Sequence, residues 1–219
     1  LIFLQPDIGR DKSPLVRTPD GRNPLQDARV REALSLAIDR KAITSRLMDD
    51  LATQADQFVT PPLLGFLPHP PKRAYDPAAA RKLLAEAGYP NGFALTLSAT
   101  NNRYINDSQV AQAIGQYLTR IGLKVTVDAM SQTVFFPRRT NHEFSLSMGG
   151  WGYGTGEASN LLRYFVVSPL PARGLGRSNY GAYHNPAFDA VFLKAIDAMD
   201  DSKRRDDLYE AQTIALHDN

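Results

Sequence analysis

Residues 24–40 read PLQDARVREALSLAIDR. In physical terms this is a capped amphipathic helix. Asp27 is placed to accept hydrogen bonds from the free N–H groups of a first turn. Val30, Ala33, Leu34, Ala37 and Ile38 recur at helical spacing and form one stripe for burial. Arg29, Arg31, Glu32 and Arg40 fall mainly on other faces. The stretch predicts a helix over residues 27–48, packed on the core of a globular domain.

The same rules organise the rest of the chain. Asp76 caps a second helix, Pro77 suits its first turn and Gly88 its end. Residues 93–99 alternate as a strand, with Phe93, Leu95 and Leu97 facing one way and Thr96 and Ser98 the other. A third helix spans residues 107–121, with Val110, Ala113, Ile114, Tyr117, Leu118 and Ile121 as its stripe and Gly122 at its end. Val125 and Val127 mark the next strand. A short helix over 133–140, a strand over 144–148 and a helix over 157–166 follow. Residues 168–185 form a long glycine-rich excursion. Asn185 with Pro186 opens another helix, and Ser202 opens the last. Residues 1–5 read as a short buried strand and 6–24 as a loop. The prolines at 61, 62, 68, 70 and 71 predict an extended surface connection, a loop inside one domain rather than a linker.

Strands that alternate with helices place the chain in the α/β class. No internal repeat and no second domain boundary is read. The expected core includes Val30, Leu34, Ile38, Leu83, Leu84, Ile114, Leu118 and Val125.

A chain of 219 residues, 43% hydrophobic and 22% charged, can bury one substantial core. Its formal charge of +2 is too small to imply a nucleic-acid partner, and no basic run carries interleaved aromatics. No apolar run approaches the roughly 20 residues that span a bilayer. The absence of cysteine removes disulfides and thiolate metal sites.

The candidate binding segment is GGWGYGTGE, residues 149–157. It lies between a predicted strand and a predicted helix, and ligands of open α/β sheets gather outside the carboxyl ends of strands. Gly152 and Gly154 let backbone approach a ligand. Trp151 and Tyr153 offer flat apolar faces with a polar edge. Thr155 and Glu157 add polar groups, and the following helix directs free N–H groups to the same region. The competing interpretation is a glycine-rich turn whose Trp151 fills the core. Arg139, which could hold a carboxylate by two parallel hydrogen bonds, is a second candidate, set against a solvated surface residue beside Arg138. Asn101, with Asn102 and Tyr104, follows the strand over 93–99 and is weighed against a plain loop.

Enzyme fingerprints are missing. The glycine run matches neither G-x-G-x-x-G nor a phosphate-binding loop, and no G-x-S-x-G elbow occurs. His69, His142, His184 and His217 are far apart, without a metal-ligand partner at helical spacing. Asp49-Asp50 and Asp200-Asp201 are sequence neighbours, which do not face each other on a helix. No catalytic residue, cofactor or metal site is therefore expected.

The wording of residues 24–40 closely resembles the Asp-x-Arg-Val-Arg-x-Ala-Leu-x-x-Ala-Ile-Asp-Arg signature of the family 5 extracellular solute-binding proteins, the dipeptide-, oligopeptide- and nickel-binding receptors of ABC importers. YDPAAARKLLAEAGYPNGF at 75–93 is similar to a second family signature. IGLKV at 121–125, FSLSMGGW at 144–151, NPAFD at 185–189 and KRRDDLYEAQ at 203–212 continue the resemblance in order. It implies one lobe of a two-lobe, type II periplasmic-binding fold, with residues 1–219 the second lobe of a larger receptor: the chain begins mid-strand and stops before the family's returning Pro-rich strand.

The same resemblance implies capture of a peptide or other small solute, delivery to ABC permease subunits, a monomeric receptor and a periplasmic or extracellular location, soluble or lipid-anchored. It places the Gly150-Trp151 segment at the ligand cleft, and an Arg at the position of Arg139 in some peptide-binding relatives. Two positions depart from the family. Peptide-binding members carry an Asp three residues after this Trp, where Gly154 stands, with Glu157 as a substitute three residues on. Nickel-binding members carry a Tyr four residues after the Trp, where Thr155 stands. A neutral or differently arranged ligand fits equally. The alternatives are a sensory or chaperone-like protein on the same fold and a nucleotide-binding α/β enzyme.

Overall fold

The computed structural model describes residues 1–152 and 154–218. They fall into two compact units. A sheet unit comprises Ile2–Gln54 and Arg73–Gly150, and a helical unit comprises Leu1, Ala55–Lys72 and Trp151–Asn219.

The sheet unit begins with β1 (Ile2–Pro6) and the two-residue β2 (Val16–Arg17). The helix predicted over 27–48 is instead two helices, α1 (Ala28–Ala37) and α2 (Arg40–Leu47). Asp27 caps α1 by accepting the Arg29 N–H at 2.9 Å. The break has a local cause. Ile38 is extended (φ −94°, ψ 114°), and Asp39 accepts the Ala42 N–H at 2.9 Å as a new cap. Arg40 reaches back to the Ser35 carbonyl (2.9 Å) and hydroxyl (2.8 Å), which fixes the corner. Hydrophobic spacing cannot report this break, because Ile38 is buried on either side of it.

The order then runs α3 (Pro77–Glu86), β3 (Ala94–Thr100), α4 (Asp107–Arg120), β4 (Lys124–Met130), α5 (Gln132–Thr140) and β5 (Leu146–Gly150). Asp76 caps α3 through the Ala78 and Ala79 N–H groups. β3 is central. β4 runs parallel along its whole length, from Ala94 opposite Lys124 to Thr100 opposite Met130. β5 pairs in parallel with Leu97 and Ser98, β2 pairs antiparallel with Ala94 and Leu95, and β1 lies antiparallel beyond β5. The core takes Val30, Leu34, Ile38, Leu84, Ile114 and Leu118 as expected, with Leu83 and Val125 partly buried against it.

In the helical unit, α6 (Ser159–Phe165) precedes α7 (Pro186–Asp197) and α8 (Asp201–His217). Asn185 caps α7 through the Ala187 and Phe188 N–H groups, and Asp200 caps α8 through that of Lys203. Phe188 and Phe192, one turn apart, stack at 5.6 Å in the core. The proline-rich stretch keeps its prolines at the surface, with Pro61, Pro62 and Pro68 exposed and Pro70 and Pro71 partly so, while Gly65 and Leu67 within it, and Gln57 and Val59 just before it, are buried. Prolines remove donors, and side-chain amides and local bridges satisfy what remains. Gln57 pairs with both the N–H and the C=O of Leu67, Gln212 donates to the Gly65 carbonyl, and Leu64 bridges residues 156 and 158.

Candidate functional site

In the sheet unit, β3 and β4 end side by side, and their carboxyl ends are tied by short polar contacts. The Asn101 N–H donates to the Met130 carbonyl at 2.9 Å, and the exposed Asn101 side chain reaches the Ala129 carbonyl at 3.5 Å. Asn102 Oδ1 accepts the Gln132 N–H at the start of α5. The loop from β3 to α4 is wound around Asp107, which is 3% exposed. Its carboxylate accepts the Thr100 hydroxyl (2.7 Å) and the N–H groups of Arg103 (2.9 Å), Tyr104 (3.1 Å) and Ser108 (2.9 Å). Burial pushes this carboxyl up, but the four donors outweigh it and hold its pKa below the ordinary aspartate value.

That loop positions Tyr104. Its hydroxyl accepts the Gly150 N–H (3.1 Å) and donates to the Gly150 carbonyl (3.2 Å), so one side chain closes both polar groups at the end of β5. Gly149 and Gly150 now have a structural explanation. A Cβ on Gly150 would lie 2.7 Å from the Tyr104 ring, and one on Gly149 would lie 2.9 Å from the Arg139 guanidinium. These two glycines make room for the protein's own side chains.

Arg139 is not the solvated residue that was the competing expectation. It is 5% exposed. Nη2 donates to Gln5 Oε1 at 2.8 Å, and the guanidinium lies 5.8 Å over the Phe135 ring. Its neighbour Arg138 faces Asp128 and Glu143 instead. Adjacent helical residues point about 100° apart, which sends the first to the acids and the second into the packing.

In the helical unit, Trp151 is half-buried. Its backbone exchanges both hydrogen bonds with Leu1. The indole N–H donates to Asn160 Oδ1 at 2.7 Å. The indole ring packs at 5.1 Å against both Tyr164 and Phe165 of α6. Asn160 and Tyr164 stand four residues apart and so share a helical face. Gly152, Gly154, Thr155 and Gly156 are exposed. Tyr153 lies outside the described residues. Glu157 is committed inside the unit: it accepts the Ser159 hydroxyl and, at 3.4 Å, an Arg204 N–H. Glu157, the residue nearest to the family's Asp position, has its charge facing Arg204.

Sequence reasoning missed Asp107, Asn160, Tyr164 and Arg177, whose guanidinium lies 4.9 Å over the Tyr164 ring. Only the Asn160–Tyr164 spacing carried a readable signal. Among the described residues, no group of three or more His, Cys, Asp or Glu could hold a metal ion. None of their helices is long and apolar enough to cross a membrane.

Comparison with known proteins gives a consistent result. The family model for bacterial extracellular solute-binding proteins, family 5 Middle, matches residues 6–169. Heme-binding protein A of Haemophilus influenzae is 29% identical over 201 residues, covering 89% of this chain and 35% of that protein. Glutathione-binding protein GsiB of Escherichia coli K12 is 32% identical over 191 residues, covering 84% and 36%. The ABC transporter-associated periplasmic binding protein DppA of Helicobacter pylori, solved with the peptide STSA, superposes with a TM-score of 0.81 at 25% identity, over 99% of this chain and 41% of that one. HbpA2 of Haemophilus parasuis shares the fold, with a TM-score of 0.82 at 24% identity, over 100% and 42%. Three of these four carry names of binding proteins. The chain spans roughly a third to two fifths of their length.

Proposed function

The chain belongs to the bacterial extracellular solute-binding proteins of family 5, and from that premise we propose that residues 1–219 form one α/β lobe of the substrate-binding component of an ABC importer. The complete receptor closes two lobes on a hinge around a peptide or other small solute and hands it to membrane permease subunits. It works as a monomer in the periplasm or outside the cell, free or lipid-anchored, without cofactor, metal or nucleic acid. The observation that carries this reading is the family match over residues 6–169.

Within the helical unit, we assign the solute-facing role to Trp151, with Gly152, Tyr153, Gly154 and Thr155. The half-buried indole, pinned by Asn160 and Tyr164, supports that choice. It is an apolar face held rigid and partly open, the form a binding aromatic takes. In the sheet unit, Asn101 is the exposed candidate, and Arg139 serves the packing of β5.

Mass spectrometry of the solute that co-purifies with the full-length receptor tests the proposal. A small molecule bound in stoichiometric amount and released unchanged is the expected result. Conversion of a peptide, ester or nucleotide by pure protein, abolished by a single His or Asp substitution, would overturn it.

A further inference from the structure

The outer face of α6 carries Asn160, Arg163 and Tyr164 at spacings of three and four residues. Residues 176–178 run beside the end of this helix. The Gly176 N–H donates to the Arg163 carbonyl and the Ser178 N–H to the Tyr164 carbonyl, both at 2.8 Å. Arg177 is thereby set between two backbone anchors. Its guanidinium lies 4.9 Å over Tyr164, whose ring packs at 5.1 Å on Trp151. Trp151, Tyr164 and Arg177 form one chain of contacts, the two rings tilted by 53° to each other.

Among the described residues, the charges of this cluster are unbalanced. Elsewhere in the helical unit, Arg173, Lys194, Arg204 and Arg205 face Asp197, Asp207, Glu157 and Asp206. Among the described residues, neither Arg163 nor Arg177 has a carboxylate within ion-pair distance, and the buried Arg163 Nε has no hydrogen-bond acceptor. Gly154 brings no side chain, and Glu157 is held by Arg204. Among the described residues, nothing acidic therefore offsets the two guanidinium groups. A guanidinium stacked on a ring keeps its N–H edge available, and that edge matches a carboxylate in two parallel hydrogen bonds.

We propose that the Trp151–Tyr164 face is a subsite for the carboxylate end of the solute. Arg177 receives the carboxylate, Arg163 supplies the second positive charge, and the two rings cover the adjoining apolar part. The solute is then an organic acid with a flat or apolar group beside its free carboxylate. The identity of the ligand rests on the receptor function proposed above; the positive charge of the subsite does not.

Two readouts on the full-length receptor separate these claims. The first is quenching of Trp151 by iodide and by caesium, isolated as the difference from Trp151→Phe. Relative to the iodide-to-caesium ratio of free N-acetyltryptophanamide, iodide should be favoured at this component at least about twofold, because a positive surface concentrates anions. The preference should vanish in Arg163→Gln/Arg177→Gln, persist in Arg177→Lys, and leave quenching by neutral acrylamide unchanged. A ratio equal to that of the free compound, or an excess over it that survives the double substitution, would overturn the subsite. The second readout is the solute retained on purification: an acid in the wild type, lost from the double variant. Retention by the double variant but loss from Trp151→Ala would refute the anion subsite and leave the receptor function standing. Iodide preference in a receptor that retains no solute would uphold the charge and refute the receptor.

Discussion

Trp151 is held by one hydrogen bond and two rings rather than by full enclosure. It is the only tryptophan of the 219 residues, so fluorescence of this chain reports a single position. We expect a red-shifted emission that acrylamide quenches readily. In the full receptor, Trp151→Ala should weaken solute binding by about 1–3 kcal/mol, the scale of a buried aromatic contact, as read by calorimetry. Blue-shifted, unquenchable emission would return Trp151 to the core.

Asp107 makes a second prediction at this scale. Its folded pKa is depressed, so its contribution to stability is complete above the unfolded aspartate value of about 4 and is lost as pH falls through the folded pKa. Asp107→Ala should cost about 1.5–3 kcal/mol at neutral pH, the range for hydrogen bonds to a charged group. Urea midpoints measured from pH 6 down to pH 2 should converge for wild type and variant. A constant gap across that range would exclude the carboxylate as the cause. Asp107 was illegible in the sequence because three of its four donors are backbone N–H groups, which any loop residues supply.

At the scale of elements, the helices were legible wherever a cap preceded an apolar stripe, as at Asp27, Asp76 and Asn185. The strands were legible in existence but not in register, except β2 (Val16–Arg17), which lies inside the stretch read as a loop over 6–24. β5 was expected over 144–148 and runs over Leu146–Gly150. Glycines are poor strand formers, so a local reading stops before them. The partner strand decides otherwise: Ile2 and Phe3 pair with Gly150 and Gly149, and Tyr104 and Arg139 occupy the space that side chains there would need.

The packing of α4 on β4 gives a prediction of the same kind. A Cβ on Gly115 would lie 2.5 Å from Val127 Cγ2, and a valine cannot swing away freely. Helix propensity favours Gly115→Ala by about 1 kcal/mol, while overpacking opposes it by about 1–3 kcal/mol. Net destabilisation is expected. The double variant with Val127→Ala should lose less than the sum of the two single losses in denaturant titration. A single variant more stable than wild type would show that the interface yields.

For the whole molecule, the length comparison sets the expectation. The chain covers 41% of DppA and 36% of GsiB, so the proposed receptor encloses its solute with surface this chain does not carry. Residues 1–219 alone should bind the solute at least ~100-fold more weakly than the full receptor, a loss of about 2.8 kcal/mol at 1.4 kcal/mol per tenfold. Calorimetry giving equal affinities would sink the two-lobe enclosure.

The sequence by itself determined the α/β class, the caps, most of the core of the sheet unit and the family. These depend on spacing and on side-chain-to-backbone bonds spanning a few residues, which local chemistry dictates. Only the tertiary structure decided that the proline-rich segment packs with residues 151–219, that Arg139 is buried, that Glu157 faces Arg204, and that Arg163 and Arg177 stand without carboxylates among the described residues. Each of those outcomes turns on which residues meet across tens of positions of chain. A charge carries no local mark of whether folding will bring it a partner.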